Sequence, residues 1–102
     1  AKALVYKGVT LGALGRSDDA IAVYDDVLAC FGAATELPLR EQVANALVNK
    51  GVRLGALGRS DDAIAVYDDV LARFGAATEL PLRELVASAE TRKRDLQKSR
   101  SA

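Results

Sequence analysis

The chain has 102 residues, one Cys and no His, and its 14 Lys and Arg balance 14 Asp and Glu to a formal net charge of zero. Without His there is no Ser-His-Asp triad and no histidine metal ligand, and a single Cys excludes an internal disulfide and every cysteine-rich zinc module. The even charge balance argues against nucleic-acid binding, and no uncharged apolar run approaches the ~20 residues that span a bilayer. We therefore expect one globular domain that binds neither nucleic acid nor membrane and needs no metal or cofactor.

The sequence contains an internal repeat. Residues 4–46 and 47–89 align without a gap at a period of 43 residues. They differ at five positions, which are Tyr6/Asn49, Thr10/Arg53, Cys30/Arg73, Gln42/Leu85 and Asn45/Ser88. A period between about 20 and 50 residues is typical of solenoids, in which each unit buries its apolar face against its neighbours.

In chain order, each unit predicts two antiparallel helices joined by a tight turn. In the complete unit, Pro38 suits the first turn of the first helix, and Gly58 suits a left-handed C-terminal cap. Ser60 is the predicted N-cap of the second helix, and Gly75 ends it. Apolar residues recur at helical spacing in both helices. Over the whole chain, the pattern predicts five helices near 2–14, 18–31, 38–57, 61–74 and 81–98.

Two glycines interrupt the first helix of each unit. Gly51 and Gly55, like Gly8 and Gly12 before them, each cost a helix roughly 1 kcal/mol relative to Ala. They predict the close approach of another helix, which a Cβ atom would block. The same GxxxG spacing occurs in membrane helix dimers, but the charged neighbour Lys50 argues against a membrane helix.

The two ends of the chain depart from the repeated pattern. Residues 90–98 replace apolar positions of the repeat by polar ones and still favour a helix, as expected of a terminal helix with its outer face in water. Ala1 aligns with Ala44, so the first helix lacks the counterpart of residues 38–43, and we expect the chain to be a piece of a longer array. The predicted architecture is an all-α solenoid of antiparallel helix pairs over 1–102, with units over about 1–37 and 38–80 and a capping helix over 81–98.

Six residues of each unit resemble the tetratricopeptide repeat (TPR) family in order and spacing. They are Gly51, Leu54, Gly58, Ala63, Tyr67 and Val70 in the second unit, and Gly8, Leu11, Gly15, Ala20, Tyr24 and Val27 in the first. The period of 43 exceeds the family's usual length of about 34 residues, and the chain looks like its extended subclass of roughly 42 residues. The resemblance implies a right-handed superhelix that binds proteins or peptides on a concave face lined by the first helix of each unit.

Carried over position by position, the resemblance implies a partner-binding concave face. The face comprises Val5, Tyr6, Val9, Asn45, Val48, Asn49, Val52, Ala56, Ser88 and Arg92. Two of the five differences between the units, Tyr6/Asn49 and Asn45/Ser88, fall on it, which fits either tuning to a ligand or neutral drift.

Some members of the family hold a C-terminal carboxylate with a Lys/Asn/Arg clamp. Asn49 and Arg92 fall on two positions of such a clamp, but Val5 and Val9 occupy the remaining ones. Because a bidentate site needs all its donors, we expect no clamp here.

Three further patterns favour structural roles. The four Asp-Asp pairs stabilise helix N-termini or form solvated helix faces and lack the further oxygen ligands of a metal site. The basic run 92–94, with Lys98 and Arg100 after it, is interrupted by Glu90 before it and Asp95 within the wider set, and fits a solvated terminal helix. Cys30 aligns with Arg73, so we expect an exposed thiol that no His activates.

The sequence thus predicts a protein-interaction scaffold and not an enzyme, since no general acid–base pair can be named. The alternative is structural self-association, because a bare N-terminal face and near-identical repeats allow copies to stack or exchange helices. We expect such homodimers through the N-terminal face at high concentration. The lone thiol favours a reducing compartment, so we expect the protein in the cytoplasm.

Overall fold

The computed structural model describes residues 2–101, and over that range the protein is helical and has no strand, which confirms the predicted all-α class. Its helices are α1 (Lys2–Ala13), α2 (Ser17–Phe31), α3 (Leu37–Ala56), α4 (Ser60–Phe74) and α5 (Leu80–Ser101). Each lies where the sequence predicted it, and the largest difference is the longer C-terminal end of α5. Ala1, which the sequence aligned with Ala44, lies outside the described residues.

Glycine closes the turn between the two helices of each unit. Gly15 and Gly58 both have a φ of +76°, the left-handed conformation that residues with a Cβ adopt only at a cost. After Gly58, the amide of Arg59 donates to the carbonyl oxygen of Leu54 at 2.9 Å, which satisfies an end carbonyl of α3. The predicted glycine cap is therefore confirmed.

The N-terminal ends of α2 and α4 differ from the prediction. Ser60 is the first residue of α4 and not its N-cap, because Arg59 occupies the cap position and no side chain there accepts a backbone hydrogen bond. Arg59 instead binds Asp62 in the first turn, with 2.8 Å between Nη2 and Oδ2, and Arg16 binds Asp19 in the same way. The acidic first turn thus faces both the positive end of the helix dipole and a guanidinium group.

A buried tyrosine packs directly against a glycine in each unit. A Cβ atom at Gly51 would overlap the ring of Tyr67, and one at Gly8 would overlap the ring of Tyr24. This confirms the close helix approach expected at these two glycines. At Gly55 the expectation was wrong, since a Cβ atom there would meet nothing nearer than 3.9 Å.

Successive helices pack against each other, and α3 also contacts α1 on one side and α5 on the other. The main core joins α3, α4 and α5 around residues such as Val43, Leu47, Tyr67, Phe74 and Leu82. A smaller core joins the two units, since Ala46 of α3 lies with Val5, Ala20, Tyr24 and Val27. Each large apolar side chain buried in these cores contributes about 1.5–3 kcal/mol. The first helices of the units, with the start of α5, therefore lie side by side and position the surface described next.

Candidate functional site

A groove runs along the surface where α1 and α3 lie next to each other. It consists of two adjoining cavities of about 340 and 220 Å³, and Val9 and Asn49 line both. Along α1 it extends from Lys2 to Ala13, a length of roughly 16 Å at 1.5 Å per residue. An extended peptide advances about 3.3 Å per residue, so about five residues fit. We call this feature the α1–α3 groove.

The two walls of the α1–α3 groove differ in chemistry. α1 contributes Tyr6 and Val9, which are 61% and 47% exposed. α3 contributes Asn45 and Asn49, which are half-buried and lie on one face because they are four residues apart. Neither amide has a hydrogen-bond partner within residues 2–101. A ligand in the groove therefore meets apolar surface on one side and available amide donors and acceptors on the other.

Charged side chains stand at both ends of the groove. Lys2 and Glu41 line one end, and Arg53 lines the other. Nη1 of Arg53 donates to the carbonyl oxygen of Gly12 at 3.0 Å, which holds the guanidinium against the C-terminal end of α1. Burial raises the pKa of Tyr24, which lies beneath this end, while the charge of Arg53 acts in the opposite direction. Tyr24 therefore stays neutral at physiological pH.

Of the ten residues predicted for the binding face, six line the α1–α3 groove. They are Val5, Tyr6, Val9, Asn45, Asn49 and Val52. Val5 is 7% exposed and forms part of the floor. Val48 is 5% exposed and belongs to the main core, which corrects its assignment to the binding face, because its side chain points between packed helices.

The other three predicted residues lie away from the groove. Ala56 is exposed at the last position of α3 and lines neither cavity of the groove. Ser88 and Arg92 lie on α5, which contacts α3 but not α1. Nε of Arg92 donates to Oγ of Ser88 at 3.2 Å, and the pair borders a shallow depression together with Glu84 and Asp95. The structure thus separates the predicted face into an amide-and-apolar groove and a charged surface on α5.

The sequence prediction missed seven residues that line the groove. They are Lys2, Gly12, Ala13, Tyr24, Glu41, Gln42 and Arg53. Glu41 and Gln42 lie in the first turns of α3, for which α1 has no counterpart, so a position-by-position transfer could not include them. Arg53 stands at one of the five positions at which the units differ. That difference in the sequence could have marked Arg53 as a candidate groove residue.

Known proteins offer no match for this chain, whether among family models, curated proteins or solved structures. The likeness to the TPR family therefore rests on the residues quoted from the sequence. Within residues 2–101, no group of three His, Cys, Asp or Glu side chains is arranged to hold a metal ion. Over the same range, none of the helices combines the length and the apolar character needed to cross a membrane.

Proposed function

We propose that the protein is an α-solenoid scaffold of the TPR type that binds a protein or peptide segment in the α1–α3 groove. One observation carries this proposal, namely that exposed Tyr6 and Val9 stand opposite two half-buried amides without protein partners. Apolar surface combined with a few convergent polar groups is typical of a recognition site. The side-by-side arrangement of α1, α3 and α5 further supports a repeat scaffold.

The spacing of the two asparagines suits an extended segment. Asn45 and Asn49 are about one helical turn, or roughly 5.4–6 Å, apart along α3. In an extended chain, peptide groups that face the same side recur every two residues, about 6.6 Å apart. Each amide therefore bonds one peptide group of the bound segment, and the intervening side chains pack on Tyr6, Val9 and Val52.

The proposal is tested with a peptide selected from a randomised octapeptide display library against the whole 102-residue chain. We expect Asn49→Ala to weaken binding of the selected peptide about tenfold, since one hydrogen bond that is left unmade costs about 1–2 kcal/mol. Tyr6→Ala should weaken binding by a similar factor through lost apolar contact. Isothermal titration calorimetry measures both effects.

Arg92→Ala is the matched control, because Arg92 occupies the position of Asn49 one repeat later but lies outside the groove. It should leave the affinity unchanged. If Asn49→Ala and Tyr6→Ala bind the peptide as tightly as the unmodified chain, the groove is not the binding site. If Arg92→Ala alone weakens binding, the site lies on α5.

The alternative function is structural self-association through the N-terminal face. The observation in its favour is the exposure of the outer residues of α1, among them Ala3 and Lys7, and of Leu14, which is 68% exposed just after the helix. Light scattering over a concentration series separates the two functions. A mass that rises to that of a dimer favours self-association, and a monomer mass throughout rules it out.

We place this function in the cytoplasm. The support is Cys30, which is a free, exposed cysteine as the sequence indicated. A reducing compartment keeps such a thiol unpaired.

A further inference from the structure

A cavity of about 300 Å³ lies where the linker between α2 and α3 meets the C-terminal end of α4. Linker residues 32–34 line it, together with Arg40 and Val43 of α3 and Arg73 and Phe74 of α4. None of these residues lines the α1–α3 groove, so the two sites are separate. We call this feature the linker cavity.

Arg40 is positioned at the linker cavity by α4 and by the linker before α5. Its guanidinium lies over the ring of Phe74, with Cζ 5.8 Å from the ring centroid, which is a cation–π arrangement. Nη1 donates to Oε2 of Glu79 at 3.3 Å, which is long for a hydrogen bond between charged groups. Because a guanidinium has five N–H donors, most of those of Arg40 are left for a further acceptor.

Arg73 reaches the same cavity from the end of α4. Nε donates to Oδ1 of Asp69 at 3.0 Å, and Nη1 donates to the carbonyl oxygen of Gly32 at 3.4 Å. The second contact holds the guanidinium against the linker of the first unit. The side chain is 40% exposed, so a ligand can reach its remaining donors.

The rest of the lining is apolar. Val43 and Phe74 belong to the main core, and residues 32–34 are glycine and alanine. An apolar group in the linker cavity can therefore contact these residues while a charged group reaches the arginines. A few convergent polar groups on an apolar lining are typical of small-molecule sites, and about 300 Å³ is at the lower end of their range of volumes.

The equivalent place one repeat later lacks the second arginine. A cavity of about 200 Å³ lies there, with Arg83 at the position of Arg40. Among the described residues, its lining holds this single arginine and a glutamate, Glu90. Arg73 also has no equivalent in the first unit, where Cys30 occupies its position. The two guanidinium groups therefore distinguish the linker cavity from its counterpart.

We propose that the linker cavity binds a carboxylate joined to a small apolar group. Arg40 and Arg73 both donate to the carboxylate, because guanidinium groups recognise carboxylate and phosphate oxygens through their paired N–H donors. The apolar group packs beside Phe74. This site is independent of the function proposed for the α1–α3 groove.

The local charge favours a carboxylate over a phosphate. Glu79 and Asp69 already offset the positive charges of the two arginines. These carboxylates repel a doubly charged phosphate monoester more strongly than a singly charged carboxylate. Glu79 also competes with the ligand for Arg40, so removal of its charge should strengthen binding.

Free carboxylic acids and the acidic side chains of proteins share this chemistry, and two probes separate them. Phenylacetate represents the free acid, and a dipeptide of glutamate and phenylalanine with both ends blocked represents a protein segment. The probe that binds more tightly identifies the source of the carboxylate. Phenyl phosphate and benzyl alcohol carry the same ring with a different charge, and both should bind at least about threefold more weakly than phenylacetate.

The test is an NMR titration of the 15N-labelled 102-residue chain with each probe. A ligand of about ten non-hydrogen atoms should bind in the millimolar range. We expect phenylacetate to shift the backbone amides of residues 32–34 and the Nε–H signals of Arg40 and Arg73. The amides of Gly75 and Ala77, which line the equivalent cavity, should not shift.

Three variants test the roles of the charged side chains. Arg73→Ala should weaken phenylacetate binding about tenfold, since it removes hydrogen bonds to a charged group. Arg73 is exposed and aligns with Cys30, so the fold tolerates its loss, which circular dichroism verifies. Glu79→Gln should strengthen binding about threefold. Arg83→Ala is the matched control and should leave binding unchanged.

Three results would overturn the proposal. The first is the absence of phenylacetate-induced shifts at residues 32–34, or equal shifts at Gly75 and Ala77. The second is equal affinity of Arg73→Ala and Arg83→Ala for phenylacetate. The third is tighter binding of phenyl phosphate or benzyl alcohol than of phenylacetate, because the site would then not select a carboxylate.

Discussion

The two junctions on either side of α3 are built from equivalent positions but have different chemistry. Toward α1, the exposed positions are Tyr6 and Val9 with the unpaired amides of α3. Toward α5, Asn49 is replaced by Arg92 and Val52 by Asp95, and Arg92 binds Ser88. One junction therefore carries the α1–α3 groove, with apolar side chains and unpaired amides, whereas the other presents a charged surface whose donors are partly used.

The packing beneath both junctions follows one rule. A lysine–aspartate ion pair lies at each, between Lys50 and Asp25 and between Lys93 and Asp68. A buried alanine also recurs at both, and the glycine–tyrosine contact recurs in both units. Buried packing positions are kept from one unit to the next, and the five positions that differ are all exposed or half-buried. The lesson is that equivalence between repeats locates a surface but does not determine what the surface binds.

The largest expected effect comes from breaking the glycine–tyrosine contact. Gly51→Val would drive a side chain into the ring of Tyr67, in a helix that is packed on several sides, and should destabilise the protein by about 2–3 kcal/mol. Gly8→Val meets Tyr24 in the same way, but α1 lies at the edge of the molecule and can shift, so the loss should be smaller. Urea unfolding followed by circular dichroism compares the two.

Gly55→Ala is the control within the same helix. A Cβ atom there is unobstructed, so the substitution should stabilise the protein by up to about 1 kcal/mol through helix propensity. Equal losses for Gly51→Val and Gly55→Ala would contradict the claim that ring contact, and not propensity, determines the cost.

A smaller effect is expected from converting a junction residue to its counterpart. Arg53→Thr introduces the residue of the first unit and removes the hydrogen bond to Gly12, which should cost about 1 kcal/mol. The reverse change, Thr10→Arg, should have little effect because Thr10 faces no neighbouring unit. Chemical denaturation gives both values, and a matching loss for Thr10→Arg would show that Arg53 acts within its own helix.

The smallest effect is a pH dependence at the linker before α5. Hydrogen bonds from its own backbone amide, followed by the charge of Arg40, outweigh desolvation and hold the pKa of Glu79 below its ordinary value of 4.5. The folded state therefore favours the carboxylate, and this contribution is present above about pH 4.5 and lost as the pH falls through the folded pKa.

Thermal unfolding between pH 7 and pH 3 measures this contribution. Glu79→Gln should show a shallower loss of Tm on acidification than the unmodified chain. Glu36→Gln, at the equivalent position of the first linker, is the matched control. If Glu79→Gln follows the unmodified chain at every pH, the carboxylate of Glu79 does not contribute.

Much of the fold was predictable because the same spacing of apolar residues and glycines occurs in both units. The positions of the helices followed from apolar spacing and from Gly15 and Gly58, whose left-handed conformation few other residues adopt. The N-cap was not predictable in the same way, because Ser60 has the right chemistry but Arg59 reaches the acidic first turn from the cap position. Side-chain reach across a turn is not encoded in residue type alone.

The site was predictable only in part. Position-by-position transfer named Tyr6, Asn45 and Asn49, which are exposed or half-buried and line the α1–α3 groove together. It also included Val48, which is 5% exposed because α3 has neighbours on several sides and packs this side chain into the main core. It also grouped Arg92 with the groove. Arg92 lies on α5, which contacts α3 and α4 but not α1, and this arrangement depends on the packing of all five helices.

The most direct test of the account is an NMR titration of the 15N-labelled chain with the selected octapeptide. The account predicts that the largest shifts occur at Tyr6, Val9 and the side-chain amides of Asn45 and Asn49, while Ser88 and Arg92 remain unchanged. Shifts concentrated on α5, or spread evenly over both junctions, would contradict the assignment of recognition to the α1–α3 groove.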